Sequence, residues 1–429
     1  MSKVRELAER MWSGEAQVEA IASAQSLVKG FVGLEPVADG VAFVGSFANV
    51  TSVQTDDGLV LIDTGSPMMA PKVHDAVRAW SDKPLHTAVF THGHVDHCFG
   101  VEIWEREAKS KSWSTTPTVL AHEAIVDRFD RYKATAGYNG LINMRQFRLP
   151  MPLFPTHFRY PDKTYRSGQS LRVGDTQIEL THARGETDDH TYAWLPETRV
   201  LATGDLFIWA SPNCGNPQKA QRYPKEWAAA LRTMAALEPE VMLPGHGPPI
   251  FGADRIAQAL DETAQLLETL LAQTLDAMNA GATLDDVVAT VRAPEALLQR
   301  PYLRPVYDEP EFIVRNLWRL YGGWYDGDPS ELKPAPRKAL AQELAALIGG
   351  PGPLVDRALA LSAEGEDRLA CHLVEIAWRA AGQDKAVSQA RQAVYTAAAD
   401  RSQSVMARGI YTAAAEQDAP PSAYKPKVR

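Results

Sequence analysis

The chain has 429 residues, of which 45% are hydrophobic and 23% charged, and a net charge of −9. This is the composition of an ordinary globular protein with room for two or three domains. The acidic balance and the lack of any basic run disfavour a nucleic-acid partner. Three scattered cysteines, Cys98, Cys214 and Cys371, form no disulfide framework and fit a reducing, cytoplasmic setting.

Residues 1–34 read as an N-terminal helical segment. Acids and bases run through the first fourteen positions, so they lack the apolar stretch of a signal peptide. Val4, Leu7 and Met11 share one face of a short amphipathic helix. No apolar run approaches the roughly 18 residues that span a membrane, so no membrane partner is expected. From residue 35 to 252 short β runs alternate with turns and helices. Val41–Gly45 and Val50–Gln54 open this region, and Thr55-Asp56-Asp57-Gly58 is a hairpin signal. Leu59–Ile62 is a strand that ends in Asp63-Thr64-Gly65, and Pro71–Trp80 suits a helix.

The next strand, Thr87–Phe90, stops at Thr91-His92-Gly93-His94-Val95-Asp96-His97. His92 and His94 are two apart, so in an extended segment they face the same way. Asp96 and His97 can then turn toward a second point nearby. That pattern suits two borderline-soft divalent ions, one held mainly by imidazole and one by carboxylate plus imidazole. Residues 113–165, rich in aromatics and prolines, read as largely irregular, part of them a long loop over the metal site. Two further strands end in polar groups: Val200–Phe207 contains Asp205, and Val241–Leu243 leads into Pro244-Gly245-His246-Gly247. Between them, Ser211–Tyr223 is dense in donors. Lys219 and Arg222 are candidates to clamp a sulfate, carboxylate or phosphate, with Asn213, Asn216 and Tyr223 beside them.

The His-x-His-x-Asp-His motif, with Asp63, Asp205 and His246 each at the end of an apolar run, resembles the metallo-β-lactamase superfamily. The resemblance implies an α+β chain built on an αββα sandwich, with two metals at the shared edge of its sheets. It implies His92, His94, Asp96, His97 and His246 as ligands, Asp205 as the bridging carboxylate and Asp63 as a group that orients the metal loop. The usual last histidine of the first site is replaced by Glu186, within Thr181–His190. Use of glutamate there resembles the alkylsulfatase branch. His182 or His190 remain alternative ligands; otherwise His190 lies behind the ligands. Two Zn2+ ions are expected, with iron or manganese admitted by the three carboxylates. Asp96 and Asp205 would be catalytic, through a hydroxide that bridges the metals.

Beyond residue 252 the texture becomes helical. Ile256, Leu260, Leu267, Leu270 and Leu271 have helical spacing, and Thr283 with Asp286 forms a capping signal. A helix over Glu311–Tyr325 carries Trp318, Tyr321, Trp324 and Tyr325, read as core, and Arg315, a further candidate for substrate binding. Residues 253–328 are expected to complete the catalytic domain. Residues 337–415 are alanine-rich and resemble stacked helical repeats, with one stripe at Leu369, Leu373, Ile376 and Ala380 and another at Ala386, Ala390, Ala393 and Ala397. Residues 416–429 read as a tail. This second, all-α part resembles the dimerisation domain of the alkylsulfatase branch and implies a homodimer.

The expected function is a dinuclear zinc hydrolase of alkyl sulfates or similar small anionic esters. The alternatives are a lactone, β-lactam, thioester or other carboxylic ester substrate, and, in another class, iron-dependent redox chemistry. Two features separate the chain from the long alkylsulfatases. It shows no counterpart of their sterol-carrier-like domain, and its bridging acid stands in Gly204-Asp205 where they use a Glu-Asn segment.

Overall fold

The computed structural model describes residues 2–15, 30–114 and 116–417. Most of the expected tail, and residues 16–29 of the N-terminal segment, lie outside them. The chain divides into two compact units, one of residues 1–140 and 152–324, the other of 141–151 and 325–429.

The first unit opens with α1 (Lys3–Trp12), whose Val4, Ala8 and Met11 are buried. Then come β1 (Gly33–Ala38), β2 (Val41–Gly45), β3 (Val50–Thr55), β4 (Gly58–Ile62), α2 (Ala70–Trp80), β5 (Leu85–Val89), α3 (Val101–Ser110), β6 (Thr118–His122), α4 (Ala124–Ala134), α5 (Ala136–Phe147), of which residues 141–147 are counted with the second unit, and β7 (Lys163–Tyr165). These seven strands form one sheet in sequence order. The second sheet holds β8 (Gly168–Val173), β9 (Thr176–His182), β10 (Thr191–Leu195), β11 (Val200–Ile208), β12 (Val241–His246) and β13 (Ile250–Phe251), in the order β13-β12-β11-β10-β9-β8. α6 (Pro224–Ala235), α7 (Ala253–Asn279), α8 (Leu284–Thr290), α9 (Glu295–Leu298) and α10 (Pro310–Gly322) complete the unit.

Side-chain alternation along each strand builds the layers, because successive residues point to opposite faces. In β4, Val60 and Ile62 enter a core shared with Val200, Ala202 and Leu243 of the other sheet. Their neighbours Leu59 and Leu61 face Val77, Trp104 and Phe129 on α2, α3 and α4. In the second sheet Leu201 and Met242 face Trp227, Leu260 and Leu317 on α6, α7 and α10. The result is an αββα sandwich.

Two parallel pairs inside these mixed sheets place the polar loops. β4 runs parallel to β5, so Asp63 and the His92–His97 loop emerge at the same end. β11 runs parallel to β12, which does the same for Asp205 and His246. Two links join the sheets at this edge. Asn49 donates its side-chain amide to the Pro244 and Gly247 carbonyls at 2.9 and 2.7 Å, and Thr191 N donates to Thr91 O at 2.8 Å.

Residues 113–165 are more regular than their composition suggests. β6, α4 and α5 occupy much of the segment, since Ile125 and Phe129 supply a buried helical face. Of the four aromatics read as core, Trp318 alone is buried; Tyr321, Trp324 and Tyr325 are 45%, 70% and 38% exposed. The helix ends at Gly322, so Trp324 and Tyr325 have left it.

The second unit contains α11 (Pro329–Leu332), α12 (Arg337–Leu347), α13 (Gly352–Glu364), α14 (Asp367–Ala381), α15 (Lys385–Arg401) and α16 (Val405–Ala415). Its apolar stripes are rotated from the expected ones. On α14 the buried face is Ala370, Val374, Ala377 and Trp378, and Leu369 is 54% exposed. On α15 it is Val387, Ala390, Arg391, Val394, Ala398 and Ala399, with Ala386 and Ala393 outside. Alanine gives little apolar contrast, so the larger Val and Trp side chains set the register.

Candidate metal centre

Two groups of ligand atoms meet at the shared edge. His92, His94, Glu186 and Asp205 each place one donor within 4.8 Å of the others, as do Asp96, His97 and His246. Within the first group, His94 Nδ1 is 3.3 Å and His92 Nε2 3.6 Å from Glu186 Oε2, and His92 Nε2 is 3.7 Å from Asp205 Oδ2. Asp205 also reaches the second group. Its Oδ1 is 3.3 Å from His97 Nε2 and its Oδ2 3.4 Å from His246 Nε2. Asp96 Oδ2 lies 3.4 Å from His246 Nε2 and 3.8 Å from His97 Nε2.

The remaining nitrogens of His92, His97 and His246 are held by other groups, which fixes the orientation of those rings. Asp63 Oδ2 is 2.7 Å from His97 Nδ1 and also accepts from Thr91 Oγ1 at 2.8 Å, while Asp63 Oδ1 accepts from Thr91 N at 2.8 Å. Thr91 Oγ1 lies 3.0 Å from His92 Nδ1, and the Phe47 carbonyl 2.5 Å from His246 Nδ1. Asp63 adopts the left-handed backbone region, φ 60°, a strain that marks functional turns. Gly204 bulges out of the β11–β12 ladder at φ 52°. A Cβ there would sit 2.7 Å from His190 Cε1, and one on Gly245 would sit 2.0 Å from Asp205 Oδ1. Both glycines are required by how closely the backbone approaches the centre.

The donor set fits a pair of divalent cations. Glu186 Oε2, Asp205 Oδ1 and His97 Nε2 are buried without a hydrogen-bond partner, although buried polar atoms are almost always paired. The electrostatics agree. Burial raises the Asp205 carboxyl, but His246 and His97 outweigh it and hold it well below the carboxylate range. Asp96 behaves alike, burial opposed by His97 and His246, and falls to about 2. Burial lowers His246, but Asp205 and Asp96 raise it to about 10, and His97 is raised well above its ordinary value by Asp205 and Asp63 against the same burial. The carboxylates therefore draw positive charge onto whatever faces them. His92, by contrast, is held well below its ordinary value by burial and by His97 and His94, so its ring stays neutral and available as a ligand.

Glu186, rather than His182 or His190, is the residue brought to the first group. One carboxylate oxygen, Oε1, is engaged by the Asn213 amide and lies 3.7 Å from Arg222 Nη2. Arg222 Nη1 also donates to the Glu186 carbonyl. This leaves Oε2 turned to the histidines. His190 stacks on His92 at 4.6 Å, and its Nε2 accepts from Asp205 N at 3.0 Å. His182 stacks on His122 at 3.7 Å instead. Cys98 is a packed thiol that donates to the His94 carbonyl.

The expected substrate residues divide. Arg222 is 2% exposed and spent on Glu186, so its charge is not offered to a ligand. Asn216 is buried and accepts from Gln218 N at 3.1 Å. Tyr223 carries the Arg184 guanidinium over its ring at 5.2 Å. Arg315 is exposed and pairs with Glu311 one helical turn away at 3.3 Å; α10 turns its other face inward, with Asn316 bonded to the Arg222 backbone. Lys219 stays half-buried. Burial and Arg222 lower its ammonium to about 8, while Asp96 and Glu186 are near enough to oppose them. Tyr307, unmarked by any motif, senses Glu186, Asp96 and Asp205 and is pushed upward, chiefly by burial.

Residues 44–246 match the metallo-beta-lactamase superfamily, and residues 283–419 match the alkyl sulfatase dimerisation family. The chain is 29% identical over 323 residues to a linear primary-alkylsulfatase of Pseudomonas sp., covering 70% of this chain and 60% of that protein. It is 27% identical over 359 residues to an (R)-specific secondary-alkylsulfatase of Pseudomonas sp., covering 76% and 53%. The chain thus spans only a little over half the length of these relatives. A solved stereoselective inverting sec-alkylsulfatase from Pseudomonas sp. shares the fold, with TM-score 0.79 and 22% identity over 89% of this chain and 65% of that one. Residues 44–246 thus form a metallo-β-lactamase superfamily domain, followed by an alkyl sulfatase dimerisation region over residues 283–419.

Proposed function

We propose that the protein is a dinuclear zinc hydrolase of alkyl sulfate esters. The observation that carries this reading is Asp205, one carboxylate shared by two converging groups in which Asp205 Oδ1, Glu186 Oε2 and His97 Nε2 are buried and unpartnered. Four imidazoles and three carboxylates are borderline to hard ligands and suit zinc, with iron and manganese as the competitors. When bound, such an ion pair lowers the pKa of water to near neutrality and polarises an ester oxygen.

The chain's own groups do the rest. Asp205 and Asp96, held ionised by their histidine neighbours, balance the cations and can accept a hydrogen bond from the attacking water. Asp63 and the Phe47 carbonyl keep His97 and His246 from rotating. Lys219 supplies a cation on the loop leaving the metal-bearing strand, suited to the charged oxygens of a sulfate ester. The alkylsulfatase names of the relatives support a sulfate rather than a carboxylic ester.

The second unit would join two copies. On α12, Leu340, Leu344, Leu347 and Ile348 are 51%, 36%, 81% and 43% exposed at helical spacing, an apolar face that needs a cover. The match of this region to a dimerisation family favours a second copy of the chain.

The test is a panel of alkyl sulfates, alkyl phosphates, lactones and thioesters offered to the zinc-loaded protein. Sulfate release from the alkyl sulfates, well above turnover of the others, is the expected outcome. Preference for a lactone or thioester would move the reading to carboxylic esters.

A further inference from the structure

Gly93 stands between the two histidines of the first group. Its backbone N–H donates to Asp189 Oδ2 at 2.8 Å. Asp189 is 1% exposed, and its other oxygen accepts from Arg128 Nε at 2.7 Å. Arg128, on α4, is 3% exposed and also donates to Asp188. Its chain lies so close that a Cβ on Gly93 would come 2.7 Å from Arg128 Cδ. Asp189 sits three residues after Glu186 in the loop between β9 and β10. One buried carboxylate therefore ties the backbone linking His92 and His94 to the loop that presents Glu186. Its charge is balanced by a guanidinium from a third element. Neither residue belongs to a donor group. The second group has other supports, the Phe47 carbonyl on His246 and Asp63 on His97, although Asp63 also reaches His92 through Thr91 Oγ1.

We infer that the Asp189–Arg128 pair is a positioning device for the first metal site alone, setting the distance between the His92-Gly93-His94 backbone and Glu186. The inference rests on the two-ion reading above. If it holds, the first ion can be loosened through this pair without loosening the second. A buried ion pair that served stability alone would show no such preference between sites.

The experiment is calorimetric titration of the metal-stripped full chain with zinc chloride, with ion quantitation after gel filtration and a melting curve of each stripped protein. Asp189→Asn keeps an oxygen for the Gly93 N–H but not the charge that Arg128 needs. Because it leaves the buried Arg128 with only the partly exposed Asp188 as its counter-charge, the double variant Asp189→Asn with Arg128→Gln, which keeps this site free of an excess cation, is made beside it as the neutral pair. Asp63→Asn serves as the control that reaches the second ion. The expected result is that the wild type binds two zinc ions, that both Asp189 variants keep one ion at wild-type affinity, and that the other is weakened about 10- to 100-fold, the usual cost of losing a group behind the ligands. Asp63→Asn is expected to weaken the ion that the Asp189 variants spare, so that adding Asp63→Asn to Asp189→Asn loosens both. Unchanged affinities in the neutral pair, or equal weakening of both ions in step with a lower melting temperature, would overturn the proposal. A wild type that takes up no zinc overturns the two-ion reading itself, a distinct result.

Discussion

Glu186 is the residue on which this centre differs from an all-histidine first site. A carboxylate there adds a negative charge that must be balanced and aimed. Arg222 and Asn213 do both by engaging Oε1 and leaving Oε2 toward His92 and His94. Removing one partner of a buried charge pair strands the other. Arg222→Met is accordingly expected to lower unfolding free energy by about 3 kcal/mol in urea titrations of the stripped protein, and to weaken zinc binding besides. A variant as stable as wild type would show that Arg222 is dispensable to Glu186. Asp308 gives a pH prediction. It is fully buried, and burial pushes its carboxyl up to about 7 even though Gly215 N and Glu309 N donate to it. Its folded value lies above the unfolded value of about 3.9, so its ionisation costs nothing below pH 4. The cost then grows with pH and is complete above about 7. Asp308→Asn should thus gain melting temperature over the wild type progressively from pH 5 to 8, with no gain at pH 4; a pH-independent difference would contradict this. At this scale the sequence was readable where chemistry is dense and local, as in His92–His97. It misled where a role depends on which way a helix or loop faces. Arg222 and Arg315 look alike as cations, yet one is buried against Glu186 and the other pairs with Glu311 in solvent. Asp189 and Arg128, 61 residues apart, carry no local signal at all.

The strands matter as aiming devices. Asp63, the His92–His97 loop, Asp205 and His246 meet because the parallel pairs β4–β5 and β11–β12 share a carboxyl edge, and Glu186 joins them from the loop between the antiparallel β9 and β10. Close backbone approach is the cost of that convergence, and glycine meets it. Gly245→Ala would place a Cβ 2.0 Å from Asp205 Oδ1, so Asp205 must move. The variant is expected to lose at least one zinc ion per chain by quantitation and about 100-fold in turnover, the scale of a 1 Å misplacement. Two bound ions and near-normal turnover would show that the strand can yield. The strands of the sandwich could be read from period-two alternation and from turn residues, and α7 from its leucine spacing. The helices α4 and α5 were hidden by their own aromatics and glycines and by the prolines that flank them, which weaken the helical pattern. The stripes of α14 and α15 were misregistered because alanine on every face blurs the buried one.

At the scale of the molecule, the chain joins a metal-centre unit to a helical unit whose α12 presents an apolar face. Leu344→Glu with Leu347→Glu touches exposed positions, so it should leave each chain folded by circular dichroism while shifting light scattering from two-chain to one-chain mass. A wild type that is already monomeric at micromolar concentration would remove the dimer. The two matched regions follow one another along the chain, which is why the order of domains was legible without a fold. The substrate was less so, since the donors around Lys219 fit any small anion. The most direct measurement is sulfate release from a medium-chain alkyl sulfate by chelator-stripped protein as zinc is added back. Turnover that is absent in the stripped protein, and complete at two zinc ions per chain, is the predicted result. Undiminished sulfate release from metal-free protein, or none from protein carrying two ions, would contradict the account.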